Sequence, residues 1–172
     1  MATTYTLIAS STATASTLTF SSIPATYTDL VFKMSARTDR GGATDAAYLS
    51  FNGSSTAVYS QTLLYSVSTS LVNQRASNQG PLLLNNAFSG DTNTANTFVN
   101  FEMYIPNYAS TTSNKPFSVV NANESNTVNG YNQTWAGLWR NTSAINSITI
   151  TIALGTAYIA GTSFYLYGIK NS

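Results

Sequence analysis

Few side chains in this sequence could carry acid–base or covalent chemistry. The acids are Asp29, Asp39, Asp45, Asp91, Glu102 and Glu124. Cleaving a glycosidic bond takes two carboxyl groups facing each other across it; these six are scattered over different segments, and no spacing pairs them. The chain contains neither His nor Cys. That excludes a thiol nucleophile, a Ser-His-Asp triad, an imidazole proton shuttle, a zinc finger and a disulfide framework. The segment Asp39-Arg40-Gly41-Gly42-Ala43-Thr44-Asp45 offers oxygen ligands on a flexible loop. Calcium sites gather several carboxylates with carbonyls, whereas this loop has two acids beside two cations and lacks the D-x-D-x-D-G spacing. It reads as a turn, as does Ser89-Gly90-Asp91-Thr92-Asn93. The expectation is a chain with no catalytic residues, no metal and no cofactor.

The charges are informative by position. Asp29, Lys33, Arg37, Asp39, Arg40 and Asp45 place six of the thirteen charges within seventeen residues. Mixed signs at one edge suit a salt-bridged protein contact, where charge sets register and partner choice. Lys33, Arg37, Asp39, Arg40 and Asp45 are therefore the candidate partner interface; the competing reading is a solvated loop. Trp135 and Trp139 lie four apart with Gly137 between them, so in a strand both indoles share a face. Exposed, they would form a sugar-stacking platform; buried, they belong to the core or to a subunit interface, which is the favoured reading.

Composition sets the frame. The 172 residues suit one domain spanning 1–172. Only 8% are charged, against roughly 25% in an average soluble protein, and Thr, Ser and Asn make up 67 of the 172. A net charge of +1 leaves no basic sheath for nucleic acid. No window approaches the ~18 apolar residues of a membrane span. The start carries no basic n-region, since the first cation is Lys33, so synthesis in a cytoplasm without general secretory export is expected.

The elements that must position these groups read as strands. Ile148, Ile150, Ile152 and Leu154 alternate with small polar residues, which places them on one buried face. Leu30, Phe32, Met34 and Ala36 oppose Lys33, Ser35 and Arg37, while Val99, Phe101, Met103 and Ile105 oppose Asn100 and Glu102. Ser163–Ile169 is aromatic and β-rich. Further strands are expected at Thr4–Ile8, Ala15–Phe20, Ala47–Asn52, Tyr59–Tyr65, Lys115–Asn121 and Gln133–Trp139. Turn chemistry at Ile23-Pro24, Arg40-Gly41-Gly42, Asn52-Gly53, Gly80-Pro81, Pro106-Asn107 and Asn129-Gly130 separates them. Val67–Gln79 reads as loop or short helix, and Leu82–Phe88 as strand or helical turn. About ten short strands without helices predict an all-β, two-sheet antiparallel β-sandwich. A jelly roll is the first choice and an immunoglobulin-like sandwich the second.

Several stretches carry a resemblance: Ile23-Pro24-x-x-Tyr27-Thr28-Asp29-Leu30-Val31, Ser35–Arg40, Phe51-Asn52-Gly53, Tyr104-Ile105-Pro106-Asn107-Tyr108, Ala136-Gly137-Leu138-Trp139 and Gly161–Ile169. Together they resemble a family of small tailed-bacteriophage virion proteins, including those of cyanobacterial phages. The resemblance implies a jelly-roll capsid cement or decoration protein on the capsid exterior, made in the host bacterial cytoplasm. Its implied partners are its own copies, as a homotrimer, and the major capsid protein, with neither nucleic acid nor membrane. Other proteins with similar endings are tail or fibre components. That makes a receptor- or glycan-binding domain using Trp135 and Trp139 the alternative.

Overall fold

The computed structural model describes residues 4–12, 14–126 and 130–171. Its strands are β1 (Thr4–Ser11), β2 (Thr17–Phe20), β3 (Asp29–Ala36), β4 (Thr44–Phe51), β5 (Tyr59–Val67) and β6 (Ser70–Gln79). The remainder are β7 (Leu82–Ser89), β8 (Val99–Ile105), β9 (Lys115–Asn123), β10 (Tyr131–Trp139), β11 (Ile148–Ile152) and β12 (Ser163–Lys170). They form two antiparallel sheets, ordered β1-β12-β3-β8-β9-β10-β5-β6 and β2-β11-β4-β7. The sheets pack face to face as a sandwich of jelly-roll type, as the alternation predicts. All ten expected strands are present. The expected Asn129-Gly130 turn falls at Asn129, outside the described residues.

Val67–Gln79, expected as loop or short helix, is instead mostly the strand β6, and Leu82–Phe88, left open between strand and helical turn, is the strand β7. The strand β6 is exposed on both faces along most of its length, so no burial pressure imposed an apolar period on it. A two-residue turn joins it to β5, with Ser68 at φ 52°, and that residue gives no glycine or asparagine signal. In β7, Leu82 and Leu84 are buried, but Asn86 at φ 55° and a register shift opposite β4 break the alternation. One expectation fails at its end. Ile148, Ile150 and Ile152 are buried as alternation requires, but β11 stops at Ile152 and Leu154 is 60% exposed.

Aromatic rings join the layers. Phe32 of β3 stacks on Phe164 at 6.4 Å and meets Phe20 of the smaller sheet edge-on at 6.1 Å. Phe51 of β4 reaches across to Phe117 at 5.4 Å and to Trp139 at 5.7 Å. Edge-to-face pairs of this kind add to the area term through the ring quadrupoles. Gly137 is required here, because a Cβ at that position would run into the Phe117 ring. Side-chain amides close the outer edge of the smaller sheet. Gln61 donates to the Leu83 carbonyl at 3.0 Å, Gln133 to that of Asn85 at 2.9 Å, and Asn123 to that of Phe88 at 3.1 Å.

Tyr158 packs between Phe88 and Phe164 at 5.4 and 5.0 Å, and its buried hydroxyl has no hydrogen-bond partner. Burial, helped by the nearby Asp45 charge, raises its pKa. An unfolded tyrosine ionises near ~10, so above that pH the unfolded state sheds a proton that the folded state keeps, and stability falls as pH rises. Tyr158→Phe is expected to be neutral or mildly stabilising at pH 7, since it deletes an unsatisfied polar atom. Above pH ~10 its loss of stability should be shallower than the parent's by up to about 1.4 kcal/mol per pH unit. Urea unfolding at both pH values reads this out, and a loss of more than ~1 kcal/mol at neutral pH would show that the hydroxyl is bonded.

Candidate binding face

The charged segment 29–45 does not form one surface. Arg37 is 3% exposed, and its guanidinium donates to the carbonyls of Thr94 (2.7 Å), Thr97 (3.1 Å), Asp91 (3.0 Å) and Asn93 (3.0 Å). Asp45 is fully buried; it accepts from the Thr38 hydroxyl at 3.0 Å and from the main-chain N–H groups of Ala46 (2.7 Å), Leu154 (3.1 Å) and Gly155 (2.9 Å). Both were expected at a partner interface. Both are instead internal braces, because a buried charge must collect hydrogen bonds from whatever the fold brings near. Asp39 is solvent-facing, yet it accepts from the Thr156 hydroxyl and from the N–H groups of Thr156 (2.7 Å) and Ala157 (3.0 Å). Those bonds, the hydroxyl foremost, hold its carboxyl below the usual range. Arg40 donates to the Thr44 carbonyl within its own loop.

Two acids do converge, although no spacing announced it. A Cβ on Gly155 would lie 2.8 Å from an oxygen of Asp39 and 2.8 Å from one of Asp45. Their oxygens are taken up by the 154–157 main chain, so the pair pins a loop. Among the described residues, no three His, Cys, Asp or Glu side chains gather as a metal-holding group.

The tryptophans are corrected as a sugar platform. Trp135 and Trp139 are 0% and 1% exposed, because odd-numbered positions of β10 face the other sheet; no ligand can stack on them. They are core, the reading the sequence favoured.

What remains at the surface is the outer face of the eight-stranded sheet. Nine large hydrophobic residues are exposed among those described, and seven of them point outward here: Tyr5, Leu7, Leu64, Leu71, Tyr104, Val120 and Tyr165. Register aligns them in rows. One row runs Tyr165, Lys33, Glu102, Val120 across β12, β3, β8 and β9. Another runs Leu7, Tyr167, Val31, Tyr104, Ser118, Ala136 from β1 to β10. Tyr5 packs edge-on against Tyr167 at 6.0 Å, and Tyr165 stacks on Tyr167 at 6.3 Å. Lys33 pairs with Glu102 at 2.8 Å, each side chain nearly half exposed, and its ammonium lies 5.8 Å from the Tyr5 ring centre. The hydrogen bond to Glu102 raises the Lys33 pKa. A shallow, mainly apolar hollow of about 280 Å³ opens beside Tyr104, Ser118 and Ala136. Of the five charged candidates, Lys33 alone lies on this face. The sequence signal for the rest was available: large apolar residues at outward positions of strands whose other side is already core.

No protein-family model and no curated protein matches the sequence. Among solved structures, the chain is similar to Caenorhabditis elegans galectin LEC-6 at 7% identity, covering 94% of this chain and 96% of that one, with a TM-score of 0.38. It is similar to alginate lyase vAL-1 from Chlorella virus at 10% identity over 87% and 73% of the two chains, TM-score 0.31. Scytalido-glutamic peptidase follows at 10% identity over 87% and 66%, TM-score 0.29. At such identities and scores none of the three carries a functional argument.

The two kinds of cation predict different costs. Arg37→Met leaves four carbonyls without their donor and should cost about 3 kcal/mol or more. Lys33→Met removes one exposed ion pair and should stay within ~1 kcal/mol. Equal losses in urea unfolding would refute the assignment of Arg37 as a clamp.

Proposed function

We propose that this chain is a virion structural protein of the tailed-phage type, a capsid cement or decoration protein that acts by adhesion to other proteins. The observation that carries the reading is the open sheet face, which holds seven of the nine large hydrophobics exposed among the described residues. Large apolar residues concentrated on one face mark a contact surface, and Tyr-rich, charge-poor composition is what protein interfaces favour. The resemblance of the strand and turn motifs to phage virion proteins supplies the setting, on the capsid exterior against the major capsid protein. The mechanism is multivalent: symmetric copies each make modest contacts, and linkage multiplies them.

A second reading, a glycan-binding tail domain, is favoured by one feature. Tyr5 and Tyr165 present half-open rings on a flat face, and these could stack on sugars in place of the buried tryptophans. Quantitative mass spectrometry of purified particles separates the two. A cement protein repeats with the symmetry of the shell and is present in many copies per particle, and a handful would overturn the reading. Under the second reading, glycan-array binding is present and is lost in Tyr5→Ala and Tyr165→Ala with the fold intact.

A further inference from the structure

The outer face of the eight-stranded sheet has a property that apolar character alone does not give it: its two halves complement each other. Consider a line along the strands between β3 and β8, and fold the face over it. In one row, Lys33 then meets Glu102, and Tyr165 meets Val120. In the next row, Tyr167 meets Ser118 and Leu7 meets Ala136, while Val31 already lies covered by its own neighbours beside Tyr104. Beyond the line on one side stand the large side chains of β1 and β12. On the other lie Val120, the small Ser118 and Ala136 of β9 and β10, and the hollow of about 280 Å³ beside the last two. Large faces small, and plus faces minus.

We propose that this face is the interface of a two-fold dimer of the chain, with the axis running parallel to the strands between β3 and β8. Such an axis lays β3 over the partner's β8, β12 over its β9 and β1 over its β10. Lys33 and Glu102 of the two copies form one alternating four-charge cluster, and Leu7 and Tyr167 enter the partner's hollow. An isologous contact needs this self-complementarity, in which each residue meets the counterpart of its own neighbour. The area suffices. Six strands at ~4.8 Å spacing and roughly 25 Å of strand length give on the order of 700 Å² per copy, close to the ~800 Å² per partner of a stable interface. Aligned sheets stack about 10 Å apart, which suits interdigitated tyrosines. The inference deepens the assembly role above, resting on it only for the expectation that the face is covered, and it gives the six-strand part of the face to a second copy while Leu64 and Leu71 on β5 and β6 stay outside the dimer.

Sedimentation velocity on the full chain at roughly 50 μM tests it, with thermal unfolding as the control for folding. The parent should sediment at two-chain mass. Ala136→Arg, an exposed position that fills the hollow, should sediment at one-chain mass and still unfold cooperatively, with a midpoint lowered only by the loss of association. Lys33→Glu and Glu102→Lys should each be monomeric alone, because each sets like charges against one another across the axis. An equimolar mixture of the two should restore the two-chain species, since each variant supplies the charge the other lacks. A parent that stays at one-chain mass overturns the proposal, as does a dimer indifferent to Ala136→Arg or a mixture that fails to pair. Particle copy number is an independent measurement: a monomer abundant in virions would sink the dimer and leave the cement reading, and a dimer absent from particles would do the reverse.

Discussion

The fold depends on how a narrow sheet is sealed against a wide one. The strand β7 ends the four-stranded sheet, and its carbonyls lie against the larger sheet's inner face. Buried main-chain groups must find partners. They find them in side-chain amides presented by β5, β9 and β10. Asn121 in turn supports Gln133 through a 2.9 Å bond, so the donors are themselves held in place. Arg37 repeats the solution at the end of the sandwich, gathering the 91–97 loop around one guanidinium. Polar groups here act as fasteners, set into a core whose bulk is aromatic.

Much of this architecture was legible because period-two alternation is enforced wherever one face is buried. The strands β3, β8 and β11 show it in their apolar residues. The amide fasteners sit at inward positions too, as Asn121, Asn123 and Gln133, where an apolar residue is the default. An inward Asn or Gln was therefore readable as a polar group with a buried appointment, though its partner was not. The strand β6 was illegible because an edge exposed on both sides keeps no period. The charged segment misled for a different reason. Proximity in sequence placed Arg37 and Asp45 together with Lys33, but β3 ends at Ala36, so Arg37 turns into the 91–97 loop, and Asp45 lies at the register shift of β4 and is buried, while Lys33 stays on the face.

The low charge acquires a structural explanation from the same facts. Of the six charges between 29 and 45, Asp29, Arg37 and Asp45 are buried, and Asp39 is occupied by the 156–157 main chain. The outer face of the smaller sheet is surfaced by paired hydroxyls, Thr17 with Thr151 at 3.1 Å and Thr19 with Thr149 at 2.9 Å. Neutral polar groups hydrate the molecule without the self-repulsion that keeps charged proteins apart.

The sheet order also sets a timetable. The strand β3 is the most deeply buried of the wide sheet, and its neighbours are β8 and β12. A ribosome delivers β12 after every other described strand. Until then β3 has one unpaired edge lined by Leu30, Phe32 and Met34, a template for the wrong strand. The pairing of β2 with β11 likewise spans more than 120 residues of sequence, so closure is non-local and slow. Nascent chains thus stay incomplete at the centre of the wide sheet until β12 emerges and pairs with β3.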